Sequence, residues 1–340
     1  VNMLNNASYG EIKRKYYQEL IHNLFLLTPV VSTTLASVER FLKDIPKEKF
    51  GYLILDEAGQ ATPASVLGAL YRSKNAIILG DPFQIEPVVN TPIEFYYLLD
   101  SKNQLPNLYH LATLSAQVVA DLQNSYGEKR SEDNWIGCPL LVHRRCINPM
   151  FEIANKIAYE EKMFLDTPNI SRDDFMIKES TWLDIKGDEI SKDNHYVTNQ
   201  GEKVIELLHQ ELTLKQELPS LYIISPFKSV AEEMRKRLKE YFAKAGGWNK
   251  KDVHEWIESH CGTIHTFQGK EAEGVILLLG CTKQSEGAIK WASSKPNILN
   301  VAATRAKWRL LIIGDASIWK DAPYFSVSYQ ILNKQKKEQE

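Results

Sequence analysis

Gly51 to Val89 is the stretch of this chain that most restricts its fold. It holds two short apolar runs, Tyr52 to Leu55 and Ala76 to Leu79, each ending abruptly in polar residues. Between them lies a segment of helical spacing with Pro63 near its start. The pattern predicts strand, helix, strand. Strands buried on both faces of a parallel sheet read as continuous apolar runs, and ligands gather at their carboxyl ends. Asp56 and Glu57 stand at the end of the first strand, and Gly80, Asp81 and Gln84 at the end of the second.

Adjacent carboxylates leaving a buried strand suit nucleotide hydrolysis, one holding Mg²⁺ through its water shell and the other orienting and deprotonating the attacking water. The same pair also suits a helix N-cap. The second strand adds Gly-Asp-Pro-x-Gln, a tight turn that would hold the Gln84 amide beside the same edge, where it could sense a terminal phosphate.

A chain of 340 residues with 44% hydrophobic and 25% charged residues can fill two ordinary cores and is not expected to be disordered. Its formal net charge of -2 means that any track for phosphates is a local feature. Cys138, Cys146, Cys261 and Cys281 are too scattered for a disulfide framework or a Cys-x-x-Cys metal pair, so buried thiols in a reducing compartment are expected. No apolar run reaches membrane-spanning length, and the start of the chain lacks the regions of a signal peptide, which predicts a soluble, cytoplasmic protein without membrane contact. The chain opens at Val1 rather than at methionine and reads as a cut end.

Taken in order, Glu11 to Leu20 is helix-compatible, and Leu24 to Val31 reads as a buried strand followed by Ser32, Thr33 and Thr34. These hydroxyls suit either a ligand contact or a cap on the next helix. Pro92 to Leu99 and Leu108 to Leu122 look helical, and Asn124 to Asn134 looks like a loop, which places a domain boundary near 130. In the second half, Met150, Ile153, Ala154, Ile157 and Ala158 share one helical face, preceded by Arg144 and Arg145. Adjacent arginines also suit a solvated face. Leu221 to Ile224 is a buried strand ending in Ser225-Pro226-Phe227, where Phe227 could stack on a base or simply fill a loop. Val230 to Leu238 is a basic amphipathic helix. Gly262 and Gly269 bracket a turn before the buried strand Val275 to Leu279, and small residues around Arg305 precede the strand Arg309 to Ile313. Gly269-Lys270 is not a phosphate loop, because Glu271 stands where Ser or Thr is required. The tail from Asn333 to Glu340 is expected to fray.

Asp56-Glu57-Ala58-Gly59-Gln60 and Gly80-Asp81-Pro82-Phe83-Gln84 resemble motifs II and III of superfamily-one helicases, in the branch that contains the nonsense-mediated-decay RNA helicase and its DNA-acting relatives. Arg145 before Pro149 resembles motif IV, Phe267-Gln268-Gly269-Lys270-Glu271 motif V, and Asn300 to Lys307 motif VI. The resemblance runs from Leu24 to Asp315 in family order. It implies a P-loop NTPase fold of two RecA-like α/β domains with parallel sheets, the first (1–130) incomplete at its amino terminus and the second covering 131–330, with a polar tail at 331–340. It implies ATP and Mg²⁺ as cofactors and single-stranded DNA or RNA as partner. By the same resemblance Glu57, Gln84, Arg145 and Arg305 are catalytic, with Arg305 the arginine finger and Arg145 reaching the γ-phosphate. Asp56 would hold the metal, and Gln268, Gly269 and Glu271 the nucleotide. Thr33, Thr34, Pro226, Phe227, His265 and Thr266 would face the nucleic acid.

The sequence departs from the family in containing no Gly-x-x-x-x-Gly-Lys-Ser/Thr phosphate loop, and the adenine-contacting glutamine region that the resemblance places upstream is missing too. The expectation is therefore the carboxyl-terminal part of an ATP-dependent helicase or translocase, with little or no hydrolysis by this chain alone. The competing readings are a degenerate, helicase-like scaffold that binds nucleic acid or protein without hydrolysis, and a subunit that borrows its phosphate loop from another chain.

Overall fold

The structure, a computed structural model, describes residues 11–88, 92–103, 114–131, 134–168, 175–191, 194–267 and 269–339. The chain divides into two units, residues 1–82 with 86–139, and residues 83–85 with 140–340. Each is α/β with parallel strands, the class that the apolar runs predict.

In the first unit, helices α1 (Glu11–Leu27) and α2 (Leu35–Leu42) precede strand β1 (Phe50–Leu55), helix α3 (Pro63–Tyr71) and strand β2 (Ser73–Ile78). β1 and β2 pair in parallel, Leu53 opposite Ala76 and Leu55 opposite Ile78. Pro63 opens α3, where its missing N–H is not needed, and Thr62 caps the helix by accepting from the Ser65 amide. Among the described residues the sheet has two strands, and its burial differs from expectation. Tyr52, Ile54 and Ile77 share one face and are exposed, while Leu55 packs with Ala58, Val66 and Ala116 on the other. Apolar sequence makes a strand; neighbouring strands and helices are what bury it.

A second correction concerns Leu24 to Val31. The expected strand is instead the end of α1 and the turn after it, with Leu26, Leu27 and Val30 pointing to solvent. The helical alternative wins because Ile21 packs with Val38, Leu42 and Ile45, and the apolar residues after it simply continue that helix. Helix α4 (Ile93–Asn103) and helix α5 (Ala116–Gln123) overlap the two segments expected to be helical, each running past its expected end. The expected loop after Asn124 contains an antiparallel strand pair, β3 (Gly127–Ser131) and β4 (Asn134–Gly137). It is tied to α5 by Asp121, whose Oδ1 accepts from the Gly137 amide at 3.2 Å and from Gln117 at 2.9 Å. Burial pushes the Asp121 carboxyl up, and these two donors oppose the shift.

The second unit is built on a five-stranded, all-parallel sheet in the order β7, β11, β10, β8, β9. The strands are β7 (Thr181–Asp184), β8 (Leu221–Ser225), β9 (Cys261–Thr263), β10 (Ala272–Leu278) and β11 (Ala306–Gly314); a short pair, β5 (Val142–His143) and β6 (Phe164–Leu165), stands apart. Every residue of β8 and nearly every residue of β10 is buried, so both faces of the sheet centre are covered. Helices α6 (Met150–Ala158), α7 (Thr198–Lys215), α8 (Lys228–Ala245) and α9 (Lys250–His260) do much of this. Helix α10 (Glu286–Ala292) follows β10, and α11 (Asn297–Arg305) packs on α6, β10 and β11. All five apolar residues expected on one face of α6 are buried. After β11, a short helix α12 (Ala316–Trp319) leads to α13 (Phe325–Gln339), which runs through the tail expected to fray. Of the four cysteines, Cys146, Cys261 and Cys281 are buried free thiols, but Cys138 is exposed.

Candidate phosphate cluster and nucleic-acid groove

In the first unit, β1 delivers Asp56 and Glu57 to its exposed carboxyl end. Asp56 Oδ1 accepts from the Glu57 amide at 2.9 Å, and Glu57 adopts left-handed backbone angles, φ 54° and ψ 38°. Glu57 stands at the N-cap position of a 3-10 turn, Ala58–Gln60, without capping it; its Oε2 accepts from the Gln60 side chain at 3.3 Å. A non-glycine residue with positive φ is held there only by its surroundings. Here the restraint is the Ala58 amide, which donates to Leu79 O at 2.8 Å, and Gly80, where a Cβ would come within 2.8 Å of the Gly59 nitrogen. The two acidic side chains are thus displayed by a strained turn that closes on the second strand. Thr33 and Thr34 are exposed, and Thr34 occupies the N-cap position of α2, its hydroxyl 3.2 Å from that of Ser37.

The remaining residues of the expected nucleotide site come together in the second unit. Gln84, assigned to the first domain by its place in the sequence, belongs here, because α11 holds its segment. Asn300 Nδ2 donates to Phe83 O at 2.9 Å, Asn297 donates to Gln84 O, and Arg305 Nη2 donates to Gln84 Oε1 at 3.0 Å. Arg305 is fully buried, and its Nη1 donates to Lys270 O at 3.1 Å. The next residue, Glu271, bridges two cations, with Arg145 Nε at 3.7 Å from one carboxylate oxygen and Lys307 on the other. Both Arg145 and Arg305 lie near enough to Cys146 to oppose the burial that pushes its thiol up to about 12. Arg144, the other arginine of the pair, is an exposed partner of Asp166 at 2.9 Å. Gln268 lies outside the described residues. Gly269 has φ 71°, which relieves the turn of a side chain where L residues are strained.

This cluster stands at the amino ends of β10 and β11, whereas four of the six expected nucleic-acid residues gather at the carboxyl ends of β8 and β9, Thr33 and Thr34 lying in the first unit. Pro226, Phe227, His265 and Thr266 line one groove of about 610 Å³. Among the further residues of this groove that sequence reasoning did not assign are Lys228, Glu232, Arg235, His195 and Trp291. Arg235 is fixed by donating to Cys261 O at 2.7 Å and lies 3.6 Å from Glu258, and Lys228, exposed at the start of α8, lies 3.6 Å from Glu232, which also lines the groove; the amino end of α8 adds positive potential there. The cationic character of α8 was legible as a basic amphipathic helix; the contribution of His195 and Trp291, distant in sequence, was not. Asn297, Asn300 and Lys307 were also missed as holders of Gln84 and Glu271, although the first two are three apart on one helix.

The fold and these two surfaces define an α/β protein with an arginine–carboxylate cluster at the amino ends of one parallel sheet and a groove of mixed charge, carrying Lys228, Arg235 and Glu232, at its carboxyl ends. Comparison with known proteins identifies the family. A family model described as AAA domain matches residues 123–317 and another of the same description matches residues 5–92, and the chain belongs to this family, in its superfamily-one, Upf-like helicase branch. An uncharacterized ATP-dependent helicase of Methanocaldococcus jannaschii is 23% identical over 94% of this chain and 42% of its own length. The DNA replication ATP-dependent helicase/nuclease of Schizosaccharomyces pombe is 23% identical over 85% of this chain and 20% of its own. The regulator of nonsense transcripts 1 of Dictyostelium discoideum is 23% identical over 82% of this chain and 19% of its own. The chain therefore spans less than half the length of these relatives. No helix among the described residues is long and apolar enough to cross a membrane.

Proposed function

We propose that this chain forms part of an ATP-dependent helicase or translocase that couples hydrolysis to movement along single-stranded DNA or RNA. The observation that carries this reading is where residues 264–267 and 269–271 lie. His265 and Thr266, past the carboxyl end of β9, line the groove, and Lys270 and Glu271, at the amino end of β10, meet Arg305 and Arg145. A segment this short that touches both surfaces gives a physical route by which a change at the phosphates would shift the grip on a strand.

The residues fit Mg²⁺ and ATP in their chemistry. Asp56 presents a hard carboxylate oxygen at a strand end, suited to a metal's water shell, and Glu57 beside it is the base that would orient and take a proton from water. ATP supplies the phosphoryl group to be transferred. Arg145 and Arg305 are the planar donors for its oxygens. Glu271 sets the position of Arg145 and Lys307. Gln84 is the amide that would report the terminal phosphate, and it holds Arg305 meanwhile. The 340 residues contain no phosphate loop, so the proposal includes little or no hydrolysis by this chain alone and activity in a protein that supplies one. Gln268 and Gly269 would face the nucleotide, and Thr33 and Thr34 the strand. Cytoplasmic location follows from the same reading.

The scaffold alternative finds support in the complete burial of Arg305. An arginine that donates to a side-chain amide and a backbone carbonyl can be structural, and hydrolysis requires Gln84 to release it. Measuring ATP turnover with and without a single strand, in protein that carries a phosphate loop, separates the two. Strand-stimulated turnover that is lost in Glu57→Gln supports the motor, and turnover indifferent to Glu57→Gln overturns it.

A further inference from the structure

The groove holds an aromatic surface that its charges alone do not explain. The Trp291 indole, at the end of α10, is 56% exposed, while its helix neighbours Ile289 and Ala292 are buried and anchor it. The Phe227 ring lies 5.9 Å away at 43°, and the His195 ring lies 5.1 Å from Phe227 on a separate segment of chain. Phe227 is only 7% exposed, so it supports the surface rather than forming it.

His195 is fixed with unusual care for a surface-lining residue. Glu189 Oε2 accepts from the His195 amide at 3.1 Å and lies 3.3 Å from Nδ1. Its Oε1 accepts from the Thr282 amide at 2.9 Å, from the Thr282 hydroxyl at 3.1 Å, and from Ser285 Oγ. Burial raises the Glu189 carboxyl, but these donors outweigh it and hold it below the ordinary carboxylate range. A carboxylate so saturated, beside a Cys281 thiol that burial pushes up, has no capacity left for a metal. Its effect is to lock the segment carrying His195 to the loop that leads into α10.

We infer that Trp291 is a base-stacking platform for a bound single strand, backed by Phe227, with His195 as the adjacent wall set by Glu189. This rests on the groove reading above and adds to it: Lys228 and Arg235 attract the phosphates, and Trp291 takes a base. An exposed indole in this groove suits a nucleobase, whose π face of any sequence can stack on it, better than an acidic peptide, which has no such face.

The test is fluorescence anisotropy with labelled thymidine and uridine 15-mers and an abasic sugar-phosphate 15-mer. Trp291→Ala is expected to weaken binding of the base-bearing oligomers about 5- to 100-fold and to leave the abasic oligomer within about twofold. Trp291→Phe should restore most of the loss, and Glu189→Gln should weaken only the base-bearing oligomers. Trp291→Ala acting equally on all three, or on none, overturns the platform while the groove stands. If Lys228→Glu with Arg235→Ala leaves abasic binding unchanged, the groove reading itself fails. Wild-type protein that binds none of them, or is displaced from them by poly-aspartate through Trp291, overturns both. Trp291 is exposed, so the variant is expected to melt with the wild type, which circular dichroism checks.

Discussion

Arg305 Nη2 lies 3.0 Å from Gln84 Oε1, and this one hydrogen bond ties the expected phosphate sensor to the expected arginine finger within a single unit. A guanidinium fully out of water needs acceptors for its N–H groups, and Gln84 Oε1 and Lys270 O are two of them. Gln84→Ala removes one. The expected outcome is a loss of about 2 kcal/mol, read as a fall of about 4–8 °C in the melting temperature of the second unit. Gln84→Glu should keep the bond and the stability but abolish strand-stimulated turnover, since a carboxylate would not release the arginine to phosphate. Calorimetry and a turnover assay on the same samples check the pair.

Glu271 behaves differently because it is half-exposed, as are Arg145 and Lys307. Exposed ion pairs contribute little, so Glu271→Gln is expected to change stability by less than about 1 kcal/mol. Its effect on turnover should be far larger, because Arg145 and Lys307 lose the group that positions them. Chemical denaturation beside a kinetic assay makes the comparison; a large loss of stability would contradict it.

The left-handed backbone of Glu57 predicts a conflict between stability and function. Glu57→Gly should stabilise the first unit by about 1 kcal/mol by removing the strain of positive φ, while eliminating the proposed base. A melting temperature that falls in this variant would show that the turn is not strained.

His143 is held near pKa about 4, mainly by burial and further by Arg145, and its Nε2 accepts from the Cys146 amide at 3.0 Å. The folded pKa lies below the unfolded value of 6.5, so the unfolded chain binds the extra proton first. The contribution is therefore fully present above pH 6.5 and declines as pH falls towards about 4. His143→Gln should flatten that part of the stability profile, measured by urea unfolding at a series of pH values.

The thiols give a test of the core. Cys138 is exposed, whereas burial pushes Cys146 and Cys261 up to about 12 and Cys281 higher than its ordinary value. At pH 8 an alkylating reagent should modify Cys138 in the native protein and all four only after unfolding, as mass spectrometry would show.

Much of this arrangement was legible in the residues. The runs at 52–55, 221–224 and 275–278 are strands, as short apolar runs bounded by turn residues suit, and the spacing from Met150 to Ala158 suits a helix with one buried face. Leu24 to Val31 misled because a short apolar run serves a helix end as well as a strand, and only the packing of Ile21 decides. Gln84 was singled out by its motif, but its place in the second unit was not legible, since no local pattern reveals that Asn297, Asn300 and Arg305 would hold its segment. His195 was invisible for the same reason: its partners Glu189 and Ser285 come from both sides of it in sequence, 6 and 90 residues away.

The central claim is that Arg305 leaves Gln84 to stabilise a transferring phosphate. Single-turnover ATP hydrolysis on a single strand, in protein that carries a phosphate loop, tests it most directly through Arg305→Ala. Nucleotide binding should stay near the wild-type level while hydrolysis slows by about 10³-fold or more. Hydrolysis at the wild-type rate would contradict it and leave Arg305 as the buried tie between Gln84 and Lys270.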